Sequence, residues 1–429
     1  MDNLDICRMA FMFRNSLDRI RQEKNGSAAL VFAFTLPLLI GFAGLGTDTI
    51  QWSLWKRQIQ RSADSSAVAG VYQRLQPMNS YQDIGNAITS DLKVNKNDVG
   101  NLLPTYPKYD IPPDDARGTN LVHVKLAVQK PLSFSGLFLS TPPIIPGEAT
   151  AAVISSGDYC IVSLESTMAT GITGSGTGTV DLNCGMITNS NSLNAAIAKG
   201  SSSLTTTVIA AVGGIQQSSN WKGATYLPFT LPIQDPYLNV PGNIPAGTPK
   251  QPAFNDKPGS NTTLSPGIYT SLNVQGNVTL SPGTYYIDGG SISLGSQANV
   301  QGGGVTLVLT NSSNSLTAPI GTIGMNAGAS LGISAPTSGT YQGIVIYQDR
   351  RATGVGTKIN GNSSSTITGS IYMPNEYITF NGTGSSSYDC MRLVSRQVIF
   401  TGTGNMSINN SCSKYGITPI PGRAIRLVA

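Results

Sequence analysis

Between Lys24 and Asp48 no residue is charged, and the positions from Asn25 to Thr47 read "NGSAALVFAFTLPLLIGFAGLGT". A run of this length spans a bilayer core of about 30 Å. A cleavable secretory signal has a shorter apolar region, about 7 to 15 residues, so the run predicts a retained anchor. Arg14, Arg19, Arg21 and Lys24 precede it, and Lys56, Arg57 and Arg61 follow. That bias places the N-terminus in the cytoplasm. Pro37 is compatible with a membrane helix, where neighbouring groups re-satisfy the carbonyl it frees.

Beyond the run, "DTIQWSLWKRQIQRSADSSAVAGVYQRLQ" contains no Gly or Pro before Gly70 and Pro77. One helix from about Ala28 to Leu75 would be about 70 Å long at 1.5 Å per residue. Ala63, Ala67 and Gly70 form a stripe of small residues at helical spacing, which predicts a face on which a partner helix lies close. The bland alternative is an anchor followed by a juxtamembrane helix.

The stretch resembles the N-terminal module of the Tad/Flp pilus-assembly TadE/TadG-like proteins, which have a basic leader ending in Gly, an apolar helix and an Ala/Asp-rich exit. The matching positions are Gly26, Asp48, Arg57, Gln60, Ala63, Asp64, Ala67 and Ala69. Prepilin-like members carry Glu at the fifth position after the cleaved Gly, where this chain has Val31. The resemblance therefore implies the larger, TadG-like type, which keeps its anchor. Asp48 and Asp64 can equally be helix-exit and helix-packing residues.

The rest of the chain is poor in charge and rich in Gly, Ser, Thr and Asn, a composition suited to short strands and polar turns. Residues 77–155 mix Pro-rich turns with alternating runs such as "LVHVKLAVQ", predicting a small α+β or β module. His123, the one histidine, alternates away from Val122, Val124, Leu126 and Val128 and reads as a solvated strand residue. From 156 to 415, "TLSPGIY" at Thr263 recurs as "TLSPGTY" at Thr279, among many short β-branched runs. Units too short to bury a face alone predict a right-handed parallel β-solenoid, with a β-sandwich as alternative. The expected division is a leader 1–25, a transmembrane and extended pilin-like helix 26–76, the module 77–155, the solenoid 156–415 and a tail 416–429. "CIVSLESTMATG" is similar to the Cys-initiated, Ser/Gly-rich segment that follows the pilus-assembly module in large TadG-like chains, and "GIVIYQD" with "STITGSIYMPNEYITFNGTG" resembles their C-terminal β-rich end, although no von Willebrand D-x-S-x-S motif is present.

Cys7 falls on the cytoplasmic side of the run. Cys160, Cys184, Cys390 and Cys412 are an even set on the other side, which predicts two disulfides in an oxidising compartment. Three pairings are possible, and local pairing is the one expected. Metal binding is disfavoured, since no C-x-x-C and no neighbouring His accompany them.

No cofactor motif stands out: "GVGTKIN" lacks the P-loop ending, and "GSGTGT" reads as a flexible turn. The lone His leaves no Ser/His/Asp triad, and the Lys and Arg residues do not cluster with aromatics as a nucleic-acid surface would require. Asp288, Asp349, Glu376 and Asp389 are candidates for a glycosidase pair on a solenoid face, but their spacing does not bring two together. Asn261, Asn277, Asn362 and Asn381 read as solenoid turns. The expectation is a non-enzymatic, single-pass bacterial inner-membrane protein of pilus assembly, with an exported β-rich domain. Its expected partners are other pilus-assembly membrane proteins or pilin helices, the bilayer and cell-envelope glycans. A membrane-anchored adhesin and a polysaccharide-degrading enzyme are the alternatives.

Overall fold

The computed structural model describes residues 27–95, 102–313, 315–354, 356–360, 365–382 and 385–428. The leader 1–25 with Cys7, Gly26 and Asn362 lie outside the described residues. Two compact units emerge, residues 1–153 with 426–429, and residues 154–425.

The first unit is built on helix α1 (Ser27–Arg74), which continues through the apolar run without a break. Helix α2 (Tyr81–Val94) starts at a capping box, in which Ser80 and Asp83 each satisfy the other's backbone N–H. Strands Thr119–Gln129 and Ile144–Ser163 pair antiparallel, with Val124 opposite Ala149 and Leu126 opposite Gly147. Along the distal half of α1, Ile59, Ala63, Ala67 and Val71 are buried, and so are Ile84, Ile88 and Leu92 of α2 and Val122, Val124 and Leu126 of the strand. A Cβ on Gly70 would lie 2.8 Å from Val122 and 3.4 Å from Ile88. The small residues thus let strand and second helix close on α1, and burial of this shared apolar surface holds the unit together. The stripe Ala63, Ala67 and Gly70 is buried within its own chain. His123 also departs from expectation: instead of standing free in solvent it is half-buried, its Nδ1 3.0 Å from the Asp110 carboxylate and its Nε2 3.8 Å from Glu148.

The second unit is a parallel β-solenoid with three faces. The first face runs through Ile172–Gly174, Ala196–Ala198, Leu272–Val274, Ile292–Leu294 and Ile323–Met325. The second runs through Thr179–Leu182, Ser203–Thr205, Asn261–Leu264, Asn277–Leu280 and Asn299–Gly302. The third runs through Gly185–Thr188, Val208–Ala211, Gly283–Asp288, Val305–Thr310 and Ile344–Gln348. Parallel ladders between successive coils exclude the sandwich alternative, in which antiparallel neighbours would face across two sheets.

The repeat is visible as stacking. Thr263 lies opposite Thr279 and Leu264 opposite Leu280. Tyr269 and Tyr285 donate their hydroxyls to the carbonyls of Ser265 and Ser281, and their rings stack 5.9 Å apart. Gly267 and Gly283 turn the Ser-Pro-Gly corner at φ 152° and 139°, a conformation that a side chain would strain. Asn261 and Asn277 are strand residues, not turns. Asn277 donates to Asn261 at 3.0 Å and Asn299 donates to Asn277 at 3.3 Å, forming an amide ladder down the second face. Asn381 likewise belongs to a strand, Thr366–Gly382.

The coils do not stack in chain order. Ile161, on the strand that enters the unit, pairs on one side with Leu393 and on the other with Met186. Similarly, Val398 pairs with Ile172 and Ile408 with Leu182. The chain enters in the middle of the stack, winds outward to Thr225–Leu227, and returns along residues 228–253 to begin again at Phe254–Asn255. Its last coils then close against the first.

The returning segment lies along the third face as a strap. Ile233 exchanges hydrogen bonds with Asn189, Tyr237 meets Ser370, Tyr347 donates to Val240, Tyr341 to Pro241 and Thr310 to Gly242. This explains why every residue of Val305–Thr310 and Ile344–Gln348 is buried, whereas strands of the first face alternate buried, intermediate or exposed, buried. A strand covered on both sides reads as a continuous apolar run.

Candidate functional site

The proximal half of α1 is the most distinctive surface of the first unit. Leu30, Phe32, Phe34, Leu38, Leu39, Phe42 and Leu45 are each more than half exposed. Thr35, Thr47 and Thr49 return their hydroxyls to carbonyls one turn back, Val31, Gly44 and Leu45, so the segment hides its own polar groups. The helix is long and apolar enough to cross a membrane.

At the end of the uncharged run Asp48 is buried, 4% exposed, although it sits on the outside of a long helix. Its two carboxylate oxygens accept the backbone N–H groups of Phe134 at 2.8 Å and Ser135 at 2.6 Å. Three residues on, Gln51 accepts the N–H and the hydroxyl of Ser133 at 3.2 and 2.9 Å. These four bonds satisfy the free donors that open the short 3-10 helix Ser135–Leu137. The family-motif residue Asp48 thus works as a cap in trans for a distant loop. Asp64, the other motif acid, accepts from Gln60 at 2.9 Å, and Gln60 also reaches the carbonyl of Glu148 at 2.7 Å. Sequence reasoning missed the loop partner of Asp48, because nothing in "PLSFSGLFL" marks it as the ligand of a residue so far away.

In the solenoid, the four carboxylates considered for catalysis lie in separate networks. Asp288 accepts from the Ser312 N–H at 2.7 Å. Asp349 binds Arg351 at 2.7 Å and Thr310 at 2.8 Å; burial by itself raises its pKa, but these hydrogen bonds outweigh it and hold the carboxyl below the usual range. Glu376 is fully buried and accepts from Gln348 and from the N–H of Gly356. Asp389 accepts from Tyr415 at 3.3 Å and lies 4.0 Å from Lys414. No two of them share a hydrogen-bond partner among the described residues. Groups of His, Cys, Asp and Glu suited to a metal ion are likewise absent among the described residues.

The cysteines are paired locally, Cys160 with Cys184 and Cys390 with Cys412, with Cα atoms 5.8 and 4.8 Å apart. The two bridges flank the level at which the last coils meet the entering strand. There Glu165, 1% exposed, gathers Thr167, Arg396 and Gln397. Burial alone would raise its pKa; these donors hold it below the ordinary carboxylate value.

Helix and solenoid together define a class: a protein with one long apolar helix, a small α+β unit grown on its distal half, and a mainly-β parallel solenoid. Residues 26–73 match the family model described as putative Flp pilus-assembly TadE/G-like. The match supports a pilus-associated role. No curated protein and no solved structure matches the chain.

Proposed function

We propose that this protein is a structural or assembly component of a Tad/Flp-type pilus, anchored in the bacterial inner membrane by the proximal half of α1, with residues 1–25 cytoplasmic and the solenoid exported. The family match at 26–73 carries the reading. It is supported by the exposed apolar surface of that segment, by the excess of basic residues before it, and by two disulfides, which persist in oxidising compartments. Because the stripe at Ala63, Ala67 and Gly70 is occupied within the chain, pilin or assembly helices would meet the anchor along Leu30 to Leu45. The reading requires no catalytic step and no cofactor.

The test is the mature N-terminus, determined by peptide mass spectrometry on membrane and sheared-filament fractions, together with pilus counts in a deletion strain. Loss of pili with the chain confined to membranes makes it an assembly component. A chain beginning at Ser27 in filaments makes it a processed subunit. Normal pili in the deletion strain overturn the proposal.

A second reading, a membrane-anchored adhesin, is favoured by one observation: the amide ladder of Asn261, Asn277 and Asn299 leaves a regular row of polar groups on an exposed face. Loss of surface attachment with normal pilus number would favour it.

A further inference from the structure

The hairpin connection between Gln129 and Ile144 carries three consecutive large apolar residues at its tip, Leu137, Phe138 and Leu139, which are 78%, 74% and 53% exposed. Single exposed apolar residues are ordinary, but a contiguous cluster marks an interaction surface. From Pro131 to Gly147 this part of the chain has no charged residue. Its position is fixed by the hydrogen bonds to Asp48 and Gln51. Phe134 also packs directly on Gly44, where a side chain would collide with its ring. Gly44 is one helical turn inside the uncharged run, about 6 Å before Asp48. The loop therefore meets α1 at the level where the apolar helix ends.

The next turns of the helix carry Trp52, Trp55, Lys56 and Arg57, and the ammonium of Lys130 lies 5.4 Å from the Trp55 ring. Aromatic and basic residues collect at the headgroup level of a bilayer. They bracket the loop on its polar side, while the apolar helix brackets it on the other.

We propose that the Phe134–Leu139 loop is a second membrane contact, a wedge that buries Leu137, Phe138 and Leu139 in the outer leaflet of the same bilayer that α1 crosses, with Asp48 as its positioning residue. The occupant is lipid, because the tip is continuous with a lipid-facing helix surface and uncharged throughout. Two attachments at one boundary fix the angle at which the rest of the first unit leaves the membrane, which a lone helix does not. Asp48 is spared the cost of an isolated carboxylate at the bilayer edge, since backbone donors from the loop satisfy it. The inference rests on α1 spanning the membrane.

The experiment uses the full chain in vesicles of phosphatidylethanolamine and phosphatidylglycerol, with photoreactive benzoylphenylalanine placed at Phe138 or, separately, at Leu45. Lipid adducts at both positions are the expected result, with the Phe138 adduct falling several-fold in an Asp48→Ala background while the Leu45 adduct persists. Lipid adducts at Leu45 alone, protein adducts at Phe138, or a Phe138 adduct indifferent to Asp48→Ala would each overturn the wedge while leaving the anchor standing. Absence of lipid adducts at Leu45 would overturn the anchor itself, and the wedge with it.

Discussion

The guanidinium of Arg392 holds the carboxylate of Asp158 at two points, 3.0 and 3.1 Å, across 234 positions of chain. Arg392 is 1% exposed, while Asp158, 31% exposed at its side chain, also accepts the Ile420 N–H at 2.8 Å. The pair ties a late coil to the strand that enters the solenoid. It does locally what chain order does elsewhere in a repeat protein, joining one coil to the next.

Removing the carboxylate would strand a buried guanidinium. Asp158→Ala is expected to cost about 3 kcal/mol, the low end for a broken buried pair, because Asp158 keeps some contact with water. Burial by itself raises the Asp158 pKa, but hydrogen bonds from Arg392 and Asn410 prevail and lower it. Its contribution is therefore complete above the unfolded value of about 3.9 and is lost as pH falls through the lower folded value. Urea midpoints of the native chain and of Asp158→Asn should differ at pH 7 and converge as pH falls through the lowered folded value. A gap that stays equal throughout would mean that the ion pair is not its source.

The bridges Cys160–Cys184 and Cys390–Cys412 close loops with sequence separations of 24 and 22. Loops of this size limit the unfolded chain by about 3 kcal/mol each in the chain-entropy view. Cys390→Ser with Cys412→Ser should lower the melting temperature of the solenoid and abolish its further decrease on reduction of that bridge. Non-reducing peptide mapping should return the two local pairs; a Cys160–Cys390 peptide would refute this arrangement.

Much of the solenoid was legible because parallel stacking places like residues over like. "TLSPGIY" and "TLSPGTY" show their relation in the text, since Leu264 and Leu280 fill equivalent core positions. The Asn residues were misread because amides suit both left-handed turns and stacked ladders, and only the neighbouring coil decides between them. The strap was illegible for another reason. "LPIQDPYLNVPGNIPAGTPK" has neither period, and its prolines remove the donors a strand would need. Its place depends on tyrosines far along the chain. Entry in mid-stack is likewise a matter of which coil edges meet, as at Ile408 and Leu182. The stripe on α1 is buried in the first unit, and small residues do not say whose side chains they receive.

Ala67 is 0% exposed within the first unit, so Ala67→Leu forces extra volume into a filled core and should destabilise the unit by about 1 to 3 kcal/mol. Leu38→Ala, on the exposed apolar half, should leave that unit's stability unchanged. Hydrogen exchange on the detergent-solubilised chain separates the two: amides of 81–94 and 119–129 lose protection in the first variant only. Retained protection with weakened partner binding would restore the partner face.

The strap offers the last test, because one side chain gathers several of its contacts. Arg350 donates to the carbonyls of Val240 and Tyr237, lies 3.6 Å from Asp235 and sits over the Tyr372 ring at 5.3 Å. Arg350→Ala removes these together and leaves the hydrogen bonds of Tyr347 to Val240, Tyr341 to Pro241, Thr310 to Gly242, Tyr237 with Ser370 and, at 2.6 Å, Tyr372 to Asp235. Limited proteolysis should then cut between residues 236 and 248, while amides of the first and second faces stay protected. The tyrosines beneath report the same event. Burial pushes the Tyr347 hydroxyl up to about 12, so the folded state holds that proton more tightly than the unfolded one. Its contribution is present below pH 10 and disappears as pH rises towards 12. Spectroscopic titration should show tyrosinate forming late in the native protein; in Arg350→Ala the loss of the guanidinium beside the Tyr347 hydroxyl opposes earlier ionisation, so an earlier titration there marks water admitted beneath a lifted strap. Unchanged proteolysis would show that the strap's other hydrogen bonds and apolar contacts hold it without the arginine.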